Sequence, residues 1–201
     1  MKRTTLFLTS LAVLTLVVTG CDHSPVHPGP DAAESVLLPG QVDHSAHAAA
    51  DARGVTGDPV VLASIRHATA RYQQYERALD DGFVPLSECV YMPGLGGMGI
   101  HYGRVDRIFD PVIRATEPEI LLYEPMANGR KRLVGVEYMV RQVDWEAAGN
   151  EGPPSVAGRE FDPPNPFHPE ALVAESYTLH VWTWRNNPAG MFAPFNPNVG
   201  C

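Results

Sequence analysis

The sequence predicts an α+β domain, with one N-terminal amphipathic helix packed on an antiparallel sheet and long Pro-rich loops between elements. Three observations lead there. Val61, Ile65, Ala68, Tyr72, Tyr75 and Leu79 recur at spacings of four and three, which places them on one stripe of a helix. Two apolar runs, 120–123 and 133–140, flank "EPMANGRK", in which Asn128-Gly129 is a strong hairpin turn. A third run, 177–184 ("YTLHVWTW"), reads as a further strand. A helix followed by strands with hairpin connections is an α+β order, not a succession of β-α-β units.

Taken in order, the chain opens with Lys2 and Arg3 and an apolar run, 6–18, broken only by Thr and Ser. That run is too short to span a bilayer comfortably and suits a secretory signal. It ends in Val18-Thr19-Gly20-Cys21, which resembles the lipobox of bacterial lipoprotein precursors. The resemblance implies that residues 1–20 are removed as a signal peptide. It also implies that Cys21 is diacylated with chains such as palmitate, anchoring the protein to the membrane on the extracytoplasmic face of the cell envelope. Residues 21–57 hold Pro25, Pro28, Pro30 and many small residues, so a disordered tether is expected there. Its four histidines, His23, His27, His44 and His47, read as part of a polar spacer.

A single globular domain is expected over 58–201. Asp58 is a good helix N-cap and Pro59 suits the first helical position. Gly82 lies where a left-handed C-terminal cap is expected. Residues 146–170 read as a long loop that partly covers one face, and the Pro- and Asn-rich end of the chain as an ordered irregular tail.

Charge narrows the partners. Of 15 Lys and Arg, removal of Lys2 and Arg3 leaves 13 against 23 Asp and Glu, a balance of −10. Nucleic acid is excluded, because a phosphate backbone needs clustered cations. Small ligands, metal ions and protein partners remain. Of the three cysteines, Cys89 and Cys201 are left after acylation, and an even pair outside the cytoplasm most simply forms a disulfide.

Residues 94–99, "GLGGMG", match the G-x-G-x-x-G spacing of a dinucleotide loop. The surroundings deny it that role. Pro93 abuts the first glycine, Gly103 and Pro111 interrupt the helix that should follow, and no second β-α-β unit appears. No NAD is expected. The glycines read instead as a tight turn leading into a short strand.

The residue just beyond that run, His101, belongs to a more promising set. By strand alternation Glu137 lies on the side of Leu133 and Met139, opposite Val134, Val136, Tyr138 and Val140. His180 shares a face with Thr178, Trp182 and Trp184 by the same rule. His101, Glu137 and His180 are the ligand types of an open site for Zn, Cu, Fe or Mn, with a position left for water or substrate. Met98 adds a sulfur donor if the metal is copper. Trp182 and Trp184 are candidates to line a pocket for a small ligand. Ser87 has no histidine partner identifiable in the sequence. The competing reading is a non-catalytic envelope interaction module with no metal.

The stretches "GGMGIHYG", "VGVEY", "LHVWTW" and "NPAGMFAPFNP" together resemble a family of uncharacterised secreted or lipid-anchored bacterial proteins. The resemblance spans roughly residues 60–201. It supports export and the paired cysteines and implies no catalytic residues.

Overall fold

The first described turn shows how its local sequence works. The Asp58 carboxylate accepts from the backbone N–H groups of Val60 and Val61, and Pro59 takes the first helical position of α1, Pro59–Thr69. The computed structural model describes residues 57–201. The expected signal peptide, the acylated Cys21 and all of the tether except Gly57 lie outside the described residues. Gly57 is buried, and a Cβ there would come within 2.6 Å of the Phe192 ring.

The helical stripe is interrupted. A single 3-10 turn, Ala70–Gln73, follows α1, and Gln74 is extended (φ −89°, ψ 102°) before α2, Tyr75–Asp80. The break shifts the helical phase. Ile65 and Tyr72 are buried as the spacing expects, but beyond Gln74 it is Ala78 that is buried, and Leu79 is left 43% exposed.

Strands β1 (Val84–Pro85), β2 (Val90–Met92), β3 (Gly96–Gly103), β4 (Ile120–Pro125), β5 (Lys131–Arg141) and β8 (Ser176–Val181) form one antiparallel sheet. Its order is β1-β3-β4-β5-β8, with β2 also paired to β3. The hairpin of β4 and β5 closes at the Asn128-Gly129 turn, where Gly129 adopts φ 76°. Residues 146–170 are not wholly irregular, because β6 (Ser155–Val156) and β7 (Arg159–Glu160) make a separate two-stranded hairpin there. The chain after β8 runs without regular structure to Cys201, which is bonded to Cys89.

Two apolar clusters divide the sheet. Leu121, Tyr123, Val136, Tyr138 and Leu179 pack with Ile65, Tyr72, Ala78 and Phe83 on one side. Ile120, Leu122, Met139 and Trp182 pack with Ile108 and Val199 on the other. Leu133 and Val134 break the simple alternation. The β4–β5 register shifts between Leu122 and Tyr123, which pair with Gly135 and Leu133, so Val134 is the extra residue of a bulge. Leu133 therefore joins the first cluster and Val134 the second, the reverse of what strict parity predicts.

The glycine run begins in the turn at 93–95, where Gly94 adopts φ 86°, and continues as the first half of β3, so it is a turn into a strand, one of eight residues, and not a strand-to-helix loop. Gly99 adopts φ 86°, and a Cβ there would sit 2.6 Å from the Tyr123 carbonyl oxygen. A Cβ on Gly97 would lie 2.9 Å from the carbonyl oxygen of Val199. The glycines thus let β4 on one side and the C-terminal tail on the other approach the backbone of β3. Asn196 exchanges backbone hydrogen bonds with Gly97 in both directions, which fastens the tail to this strand.

Candidate metal centre

Three side chains from three strands meet on the face opposite α1. Glu137 and His180 are direct cross-strand partners between β5 and β8, and Ile120 lies opposite Glu137 on β4. His101 on β3 is paired with Leu122, whose own partner on β5 is Gly135. Same-face parity carries across these pairs, so His101, Glu137 and His180 emerge together. Gly135 lets the sheet pack closely beside them, because a Cβ there would lie 2.9 Å from the Val181 carbonyl oxygen and 3.3 Å from both Leu122 and Trp182.

One nitrogen of each imidazole and one carboxylate oxygen lie within 4.8 Å of one another, a separation at which one metal ion can be held. His101 Nε2 is 3.5 Å from Glu137 Oε2, and His180 Nε2 is 3.8 Å from the same oxygen. Glu137 and His180 are buried, and His101 is half-buried. Among the described residues, nothing donates a hydrogen bond to the Glu137 oxygen at the centre. A buried carboxylate oxygen without a donor is costly unless a proton or a cation meets it.

The electrostatics follow from burial. Desolvation pushes the His101 imidazolium down to about 4. It pushes the Glu137 carboxyl up to about 8, and Asp162, Glu119 and Glu170 push in the same direction. Burial therefore works against a charged His101–Glu137 pair in the metal-free protein, despite its ion-pair distance. Burial favours neutral forms of both.

His101 has a second contact that the sequence did not disclose. Strands β1 and β2 pair with opposite halves of β3, and the chain between them leaves the ladder. Leu86 N–H still donates to the His101 carbonyl. The next acceptor is a side chain: Ser87 Oγ takes the His101 backbone N–H at 3.2 Å and lies 3.0 Å from His101 Nδ1. Ser87 thus has a histidine partner, fourteen residues away, through a gap in an edge ladder that no local spacing reveals.

The tryptophans separate. Trp182 stacks beside His180, with ring centroids 6.4 Å apart and an interplanar angle of 20°, while its indole N–H donates to the Ala193 carbonyl. Trp184 packs against the cluster on the other side of the sheet. Its indole N–H donates to Thr69 and the Arg66 guanidinium lies 4.5 Å over its ring. The cause is that β8 ends at Val181, so strand alternation does not extend to residue 184. The two rings do not share a face. Met98 is half-buried at the irregularity where the β2–β3 register skips a residue. A polar cavity of about 240 Å³ at the hairpin turn, lined by Gln73, Met126, Asn128, Arg130, Lys131 and Arg132, contains none of the three candidate ligands.

A largely buried group of two histidines and one carboxylate on a sheet face, compatible with metal binding, is the class of site this fold presents. No protein-family model, curated protein or solved structure matches the chain.

Proposed function

We propose that this protein binds a divalent transition metal through His101, Glu137 and His180, and that it does so as a lipid-anchored protein on the extracytoplasmic face of a bacterial cell envelope. The observation that carries the metal reading is the approach of three ligand atoms to within 4.8 Å around a carboxylate oxygen to which none of the described residues donates a hydrogen bond. Two imidazoles and a carboxylate suit Zn, Fe, Mn or Cu and leave positions for water or a small ligand. The surrounding charge supports a cation. Beyond burial, the carboxylates of Asp162 and Glu170 raise the proton affinity of Glu137, and the negative potential responsible also attracts a metal ion. Metal then takes the place of the Glu137 proton.

The lipobox at residues 18–21 supports the anchor, and the Cys89–Cys201 disulfide is in keeping with an oxidising compartment. The helical segment from Pro59 to Asp80 is read as the amphipathic layer on the face away from the site. Calorimetric titration of the metal-free protein with Zn tests the metal reading. Saturable binding of about one equivalent, abolished in both H101A and H180A, is expected. Binding that survives both changes but disappears when His23, His27, His44 and His47 are replaced would assign the metal to the N-terminal segment instead.

A further inference from the structure

We propose that Ser87 is the positioning residue of this centre: its hydroxyl holds His101 as the Nδ1–H tautomer and leaves Nε2 bare toward Glu137. The inference rests on the metal reading for its purpose, but its evidence is a separate hydrogen-bond account. A serine hydroxyl has one hydrogen to donate and two lone pairs with which to accept. Ser87 Oγ makes three contacts: to the Glu88 carbonyl at 2.7 Å, to the His101 backbone N–H at 3.2 Å and to His101 Nδ1 at 3.0 Å. The carbonyl can only accept, so it takes the single hydroxyl hydrogen. The backbone N–H can only donate, so it occupies one lone pair. The remaining lone pair faces Nδ1, and the contact is a hydrogen bond only if Nδ1 carries the proton. The opposite assignment spends the hydroxyl hydrogen on Nδ1 and leaves two oxygens 2.7 Å apart with nothing between them.

A neutral imidazole carries one N–H, so Nε2 then presents a lone pair at 3.5 Å from Glu137 Oε2. This is the form that binds metal, with the other ring nitrogen fixed by an outer hydrogen bond. Ser87 reaches the ring because residues 87–89 leave the β3 edge between β1 and β2, and Cys89, two residues on, is tied to the end of the chain.

The test uses the full-length, metal-free protein with 15N-labelled histidine. Long-range proton–nitrogen correlation spectra should show His101 protonated at Nδ1 and bare at Nε2. In S87A the ring should shift toward the Nε2–H form, Zn affinity should fall about 10–100-fold, and S87T should restore both. An Nε2–H ring in the unaltered protein overturns the proposal without need of a variant. So does an S87A protein whose tautomer is unchanged, even if its affinity falls, because the serine would then be only structural. If the tautomer responds as expected but the unaltered protein takes up no Zn, the positioning role stands and the metal reading fails.

Discussion

At the scale of single residues, burial decides the chemistry, and Glu119 shows this apart from the candidate metal ligands. Its side chain is 1% exposed, and its Oε2 accepts the Met139 backbone N–H, serving β5 just before β4 begins at Ile120. Desolvation is the main cause that pushes its carboxyl up to about 8 from an ordinary 4.5. The folded protein therefore holds a proton that the unfolded chain releases between those values. Its contribution to stability is fully present below about pH 4.5 and is lost as pH rises through about 8. Urea midpoints should show E119Q gaining on the unaltered protein across that window, by an amount on the order of a few kcal/mol at the alkaline end. Equal pH dependence in the two proteins would mean that Glu119 ionises freely in the fold. Much of the residue-level pattern was legible beforehand. Alternation placed Glu137 and His180 on faces of their strands, and His101 stood out beyond the glycines. Ser87 was not legible, because its partnership depends on a gap between two strands pairing with a third. Trp184 was misplaced because alternation was carried past the end of β8.

Elements are shaped by their exceptions. The helical spacing around residues 61–79 was legible, but the extended Gln74 was not, since no proline or glycine announces it. The bulge at Val134 has one sign in the sequence, the neighbouring Gly135, since a glycine inside a strand often marks a bulge. The glycines of β3 were visible, yet their purpose came only from the neighbours that approach them. Gly94 and Gly99 share φ 86°, but a Cβ on Gly94 meets nothing within 4 Å, whereas one on Gly99 meets the Tyr123 backbone. G94A should cost only the left-handed backbone penalty, about 1–2 kcal/mol. G99A adds a clash with backbone that cannot rotate away, and should cost about 1–3 kcal/mol more. Chemical denaturation separates the two, and equal losses would show that close packing on β4 does not constrain Gly99.

For the whole molecule, the C-terminal tail acts as a strap across the face that carries His101, Glu137 and His180. Its backbone meets β3 at Gly97, it accepts the Trp182 indole N–H at Ala193, and Val199 is buried in the cluster beneath it. The Cys89–Cys201 bond, across a sequence separation of 112, fastens its end. In the chain-entropy view, closing so long a loop stabilises by up to about 5 kcal/mol. Reduction should therefore lower the urea midpoint markedly, and C89S with C201S should reproduce the reduced protein. A midpoint unmoved by reduction would mean that the tail is held by its other contacts. The pairing of these cysteines was legible from their number, whereas the path of the tail over the sheet was not, because irregular chain carries no periodicity.

The central claim is that one metal ion belongs to His101, Glu137 and His180. Elemental analysis of the folded protein after incubation with Zn, Mn, Fe and Cu, followed by extensive dialysis, tests it most directly. About one equivalent of a transition metal in the unaltered protein, lost in each of H101A, E137Q and H180A while the fold persists, is the predicted result. A protein that retains none of the four metals, or variants that retain as much as the parent, would contradict it.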